Sequence, residues 1–523
     1  MLGPYVADDL ELRTLANHLP FQTTKGAAHF TEQLLRPTTN IPLLKKIQLP
    51  LLALRRINLQ PFQTALTEFQ QAESTLDECT SVSMDPLAEE STEQVVWNPT
   101  TTLGALCNQS PFLLESTLTW KTIALPSITI LSPFFAAIIP YIVLYAYKQN
   151  PPLQEYLTTI RSIVRGAITV PSVLQSKGES DRIGYVLESL YICIMIGVCL
   201  TSIWSQITAA LHLRSVAANL REKGTRIRNG IGAAESLYAQ LAATSVKHQR
   251  ALRSLMVEGK QALDPFRGTT DTGLGLYARL WKQTDALKTL HTWVGRVDAH
   301  VTIASLSTLC FPRWNRANSP HIEFTRVVHP LLPHPVPNDF TIHTGALLTG
   351  PNRGGKSTFC KSVGLSLVCA QSWGFAFASS ARLTPFARIE TALSPADTFG
   401  RLSLFEAEIA FAKGVLEASE QPLFVMMDEI FHSTNAADGM EASRIFLQRL
   451  YECPSTLSLI STHYRSLAEE FSTITPLQAE TVSKGDRLEY TYRILPGIST
   501  ASSVMEILRE KGLLKNHLPS TEP

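Results

Sequence analysis

Nine consecutive residues, Gly350, Pro351, Asn352, Arg353, Gly354, Gly355, Lys356, Ser357 and Thr358, have the types and spacing needed to wrap a polyphosphate. The glycines let backbone N–H groups approach the phosphates, Lys356 brings a compact ammonium to the β and γ positions, and Ser357 offers a hydroxyl oxygen to Mg²⁺. The apolar run Ala346-Leu347-Leu348 precedes them, and a helix is predicted from there through Ala370. The amides at its N-terminus add partial positive charge where phosphate would sit. ATP with Mg²⁺ is the ligand this chemistry points to.

A second apolar run, Leu423 to Met427, ends in Asp428-Glu429. Beside a phosphate loop, Asp428 can hold Mg²⁺ directly or through water, and Glu429 can orient or deprotonate an attacking water. A third, Leu457 to Ile460, leads into Ser461-Thr462-His463, which puts His463 at a strand end within reach of a γ-phosphate. Alone, each could be an ordinary strand ending in a polar turn. Their order after Lys356 favours catalysis, with Lys356, Glu429 and His463 as the candidate catalytic groups. Gly400-Arg401 and Ser403 lie just upstream of the acidic strand, opening Ser403-Leu404-Phe405-Glu406-Ala407-Glu408.

These residues need a parallel α/β sheet to present them, and the 523-residue chain is long enough for several domains. Lys and Arg total 46 against 45 Asp and Glu, which excludes a chain-wide basic footprint for nucleic acid. A hydrophobic content of 45% excludes an acidic, disordered tail protein. The eight cysteines form no CxxC pair or metal-ligand spacing, so a reducing compartment without a disulfide framework is expected. Asp8, Asp9 and Glu11 argue against a cleaved secretory signal or transit peptide.

Charged residues make up only 17%, against roughly 25% in ordinary soluble proteins. Part of the deficit lies in two uncharged runs, Thr122–Tyr147 with 26 residues and Ser189–Leu213 with 25. A helix needs about 20 apolar residues to cross a bilayer, and Tyr141, Tyr145, Tyr147, Tyr191 and Trp204 suit its interfaces. The runs are read as a transmembrane hairpin; the alternative is a pair of buried core helices. Pro126, Pro133 and Pro140 are expected to kink the first. Lys and Arg counts on the two sides are nearly tied, so charge does not orient the hairpin.

In this order the motifs resemble the ATPase domain of the MutS family. The family's usual phosphate loop has methionine where Arg353 stands, and Ser433 replaces the glycine of the segment resembled by Asp428 to Gly439. The likeness begins near His329-Pro330, includes Pro337-Asn338-Asp339 and runs to about Leu514. It implies an ABC-type dimer in which Ser403 meets nucleotide bound by the other subunit. It also implies that Thr434, Asn435 and Asp438 belong to the dimer-facing loop and that Asn338 approaches the adenine. Pro335 stands where the family often has an aromatic residue. Leu12–Ile57 and Trp293–Leu306 resemble, more loosely, the family's helical core, with a lever-like helix between Arg214 and Phe266. The mismatch-reading and connector domains are not expected, nor is a complete C-terminal helix-turn-helix. Phe30-Thr31-Glu32 matches the family's wedge pattern but falls in a core-like helix.

The expected architecture is a helical MutS-core-like region (1–120), a membrane hairpin (121–213), a helical lever (214–312) and an α/β P-loop ATPase domain (313–523). The expected function is a membrane-anchored, dimeric MutS-like ATPase, homo- or heteromeric, with DNA binding implied by resemblance only. The alternatives are a soluble mismatch-repair component that binds DNA and a membrane-remodelling or tethering ATPase without nucleic acid.

Overall fold

A strand covered on both faces must be apolar at every position rather than at alternate ones, and the runs ending in the chemistry-bearing residues have that character. We describe a computed structural model of the chain over residues 1–80, 86–98, 101–146, 152–158, 179–267, 273–282, 284–315, 319–393, 404–429, 431–484, 487–501 and 508. Its strands are β1 (Arg313–Trp314), β2 (Ile322–Val327), β3 (Asn338–Ile342), β4 (Gly345–Thr349), β5 (Ser380–Leu383), β6 (Arg388–Ala392), β7 (Leu423–Met427), β8 (Thr456–Ser461), β9 (Thr475–Lys484) and β10 (Arg487–Pro496). The larger sheet has the order β10-β9-β4-β8-β7-β6. Its strands pair in parallel from β9 to β6, and β10 closes the edge antiparallel to β9. Every residue of β4, β7 and β8 is buried. The smaller sheet has the order β1-β5-β2-β3. The C-terminal region is therefore a mixed α/β fold.

The chain forms two compact units. The first comprises Met1–Gln70, Ala233–Asp264 and Thr289–Pro523. Its core joins Val6, Leu10, Phe30 and Leu51 from the N-terminal helices to Phe359, Val363, Trp373 and Leu459 around the larger sheet. Thr23 caps the helix Thr24–Leu34: its Oγ1 accepts from the Gly26 N–H and donates to the buried Asp298 carboxylate at 2.8 Å. A Cβ on Gly26 would lie 2.2 Å from Asp298 Oδ2, so only glycine fits this approach. Phe30 is fully buried and stacks on Trp373 at 5.6 Å. That contact makes Phe30-Thr31-Glu32 core packing and removes it as a DNA wedge.

His29 and His300 meet the same Trp373 ring edge-on, at 5.5 and 5.3 Å. Burial pushes both imidazoles down to about 4. The unfolded chain, with ordinary histidines near 6.5, therefore takes up protons first as pH falls. Stability from this cluster is complete above about pH 6.5 and is lost toward pH 4, by roughly 1–3 kcal/mol per ring. A melting series over that range should show the fall, and His29→Gln should flatten its slope. An unchanged slope would remove His29 as a cause.

The second unit comprises Gln71–Gly232 and Pro265–Lys288. Within it, Arg221 makes a two-pronged ion pair with Glu115, bonding the two carboxylate oxygens at 2.7 and 2.5 Å. The first uncharged run forms a π-helical turn, Trp120–Ala124, and then a helix, Leu125–Ala146. That helix passes through Pro133 and Pro140 without interruption. A proline removes the N–H that the carbonyl four residues earlier expects. For Pro133 that carbonyl is Thr129 O, and the Ser132 hydroxyl donates to it at 2.9 Å.

The second run lies within a 64-residue helix, Glu179–Ala242. Its segment Cys193–Ala242 is, among the described residues, the helix long and apolar enough to cross a membrane, and none of its most apolar window is buried. Large apolar side chains stand exposed on both helices, among them Ile128, Phe135 and Ile142 on the first and Ile194, Leu200 and Trp204 on the second. Core helices would bury such side chains. Most of the segment linking the two runs lies outside the described residues.

Candidate functional site

The sheet order decides which groups can meet. Ligands of open parallel sheets gather at the carboxyl ends of the strands. Here β8 lies between β4, which ends in the phosphate loop, and β7, which ends in Asp428-Glu429. His463, just past β8, is thereby delivered between the other two.

The loop from Gly350 to Gly355 turns through backbone angles that favour glycine at its two ends. Gly350 has φ 151° and Gly355 φ 86°, and a Cβ on Gly350 would lie 2.7 Å from the Ala479 Cβ. Arg353, at φ 70°, takes the left-handed conformation with a full side chain. The helix Lys356–Trp373 starts directly behind. Lys356 is buried, and its ammonium donates to the Gly350 and Pro351 carbonyls at 3.1 and 3.4 Å. Burial lowers its pKa, while Glu429 and Asp428 pull it back up.

Ser357 Oγ donates to Asp428 Oδ2, and Ser461 Oγ donates to Asp428 Oδ1. The Glu429 N–H in turn donates to Ser461 Oγ at 3.1 Å. Three hard oxygen donors, from Ser357, Asp428 and Ser461, thus converge beside the phosphate loop, a donor set that fits Mg²⁺. Ser461 was invisible as a functional residue in the sequence; its only signal is its place two residues before His463.

His463 Nε2 lies 2.6 Å from Glu429 Oε1. That bond holds the Glu429 carboxyl below its usual range, against the opposing effect of burial. The carboxylate is then an acceptor only, so the ring nitrogen is the donor. Glu429 itself sits at φ 55°. Together the pair can orient a water and accept its proton.

A cleft of about 450 Å³ opens here, lined among others by His334, Pro335, Asn338, Lys356, Glu429 and Tyr492. Asn338 is there, but its amide joins backbone to backbone: Oδ1 accepts from the Ile494 N–H at 2.7 Å, and Nδ2 donates to the Tyr492 and Val336 carbonyls at 3.2 Å. Tyr492 brings an aromatic ring to this wall from β10, close enough that a Cβ on Gly355 would lie 3.2 Å from its Cδ1. Sequence reasoning sought the aromatic near Pro335 and overlooked Tyr492, which is 157 residues further on. Asn352, Arg353, Gly354, Ser357 and Thr358 also line the cleft. Asn435 caps the helix Ala436–Tyr451, its Oδ1 accepting from the exposed Asp438 N–H at 2.9 Å. Ser403, Ile430 and the segment after residue 501, Leu508 apart, lie outside the described residues.

Residues 346–519 match the MutS domain V family. Over 186 residues, 34% of this chain, the sequence is 29% identical to the DNA mismatch repair protein MutS of Solibacter usitatus, covering 21% of that relative. Over 263 residues, 47% of this chain, it is 28% identical to MutS of Lactobacillus delbrueckii subsp. bulgaricus, covering 31%. The DNA mismatch repair protein MutS 2 of Halobacterium salinarum is 28% identical over 204 residues, 37% of this chain and 23% of the relative. The matched part thus spans between a fifth and a third of the length of these relatives. The likeness of this chain to the MutS family is thus carried by residues 346–519, which match its domain V.

Proposed function

We propose that the chain is a membrane-anchored ATPase of the MutS family that binds and hydrolyses Mg-ATP as a dimer. The observation that carries the ATPase reading is the convergence of Lys356, Ser357, Asp428, Glu429 and His463 at the carboxyl ends of β4, β7 and β8. In this reading the loop amides and Lys356 hold the phosphates, Asn338 and Tyr492 border the base, and Glu429 takes the proton of a water oriented with His463. Ser357 and Asp428 would hold Mg²⁺, which when bound would supply positive charge beside the phosphates. Ser403 acts on the nucleotide of the other subunit, and the exposed cap at Asn435 and Asp438 faces that subunit. Closure of the dimer on ATP requires that ATP bind the closed state more tightly than the open one.

The membrane part of the reading rests on the exposed apolar side chains of Leu125–Ala146 and of the long helix around Cys193–Leu211. Soluble monomers rarely expose contiguous apolar patches of more than a few hundred Å², and lipid removes the cost. The names of the relatives favour a second reading, a soluble DNA mismatch repair component. Carbonate extraction of cell membranes separates the two. The chain is expected to stay in the pellet, and to move to the supernatant when Leu200 and Ile207 are both replaced by Arg. Release of the unaltered chain would overturn the anchor. A DNA-binding assay titrated with salt tests the nucleic-acid role, since phosphate contacts weaken as salt rises.

A further inference from the structure

The turn that carries Glu429 is strained, and one carboxylate from another element grips it. Glu429 and Phe431 have φ of 55° and 50°, left-handed values that a bulky residue such as Phe431 adopts only when its surroundings impose them. The Phe431 ring is buried, edge-on to Phe446 at 6.0 Å and to Phe405 at 6.1 Å. Phe405 lies in the first turn of the helix Leu404–Ala418. The same helix sends Glu408 to the turn. Its Oε2 accepts from Ser433 Oγ at 2.5 Å, and its Oε1 lies 3.2 Å from His432 Nδ1. That ring nitrogen also lies 2.7 Å from the backbone oxygen of Glu429. One Glu408 oxygen therefore accepts from Ser433, and the other lies against His432, whose Nδ1 meets the main chain of Glu429. Ser433, the residue that departs from the family's glycine, supplies the hydrogen bond to Glu408.

We propose that Glu408 is a positioning residue for hydrolysis: it pins His432 and Ser433 so that Glu429 keeps the backbone conformation that delivers its carboxylate to His463. The inference rests on the reading of Glu429 and His463 as the hydrolytic pair. It implies that any displacement of the helix Leu404–Ala418 is felt at Glu429 through two links, the Phe405–Phe431 contact and the Glu408 grip.

The test uses the full chain in detergent, with steady-state ATP turnover, affinity for a fluorescent ATP analogue and melting temperature measured in parallel. Glu408→Ala is expected to lower kcat at least tenfold while KM and analogue affinity stay within twofold. Glu408→Gln, which keeps an oxygen acceptor, should recover part of that loss, and Ser433→Gly should lower kcat by a smaller factor. A kcat for both Glu408 variants within twofold of the unaltered chain overturns the inference. So does a parallel fall in kcat, affinity and melting temperature that glutamine does not rescue, because that pattern marks a structural role. Glu429→Gln separates the two levels. If it turns over ATP normally, the reading of the pair fails; if it is inactive while Glu408→Ala is not, only the positioning role fails.

Discussion

Lys356→Ala is expected to lower affinity for ATP by at least about 100-fold, close to 3 kcal/mol, and to abolish turnover. The size follows from where the ammonium sits. It is buried and bonded to two carbonyls of its own loop, Gly350 and Pro351, so it is already desolvated and aimed before any phosphate arrives. Charge-assisted hydrogen bonds are worth about 1.5–3 kcal/mol each, and a γ-phosphate offers several acceptors. The alanine variant loses these bonds and leaves the two carbonyls facing the cleft without a donor. Equilibrium binding of a fluorescent ATP analogue measures the loss. Undiminished turnover by the variant would defeat the assignment of this loop.

The second large effect is expected at Glu429. Glu429→Ala should reduce turnover by about 10²–10⁴, the usual contribution of a positioned general base, while ATP binding persists. The separation is expected because Glu429 bonds His463 rather than the Lys356 ammonium or the Ser357 hydroxyl. Trapped ATP should then hold the subunits together. Size measurement with and without ATP reads this directly: the variant should elute as a dimer with nucleotide for longer than the unaltered chain. Equal turnover in both proteins would remove Glu429 from the chemistry.

The parts of this site that could be read from sequence share one property. Lys356, Asp428, Glu429 and His463 each stand at the end of an apolar run, and a parallel sheet brings run ends together whatever lies between them. Tyr492 and Glu408 have no such marker. Tyr492 reaches the cleft only because β10 folds back antiparallel on β9, and Glu408 matters only because its helix lies against the turn after β7. Asn338 was legible as a cleft residue, yet its bonds to Tyr492 and Ile494 depend on a strand 154 to 156 residues away. Proline spacing does not end the first apolar helix, and at Pro133 the Ser132 hydroxyl supplies a donor to the Thr129 carbonyl. Exposure of the apolar helices was beyond sequence altogether, since hydropathy alone does not distinguish a lipid-facing helix from a core helix.

The helix behind the phosphate loop is anchored at both ends. Lys356 opens this 18-residue helix at the cleft and Trp373 closes it, about 25 Å away at 1.5 Å per residue. There the Trp373 indole donates to the Phe30 carbonyl at 3.1 Å, between the rings of His29 and His300. One continuous helix therefore joins the phosphate loop to the packing around Phe30. The opening helices of the chain thus serve as the footing of a strut whose other end is the phosphate loop.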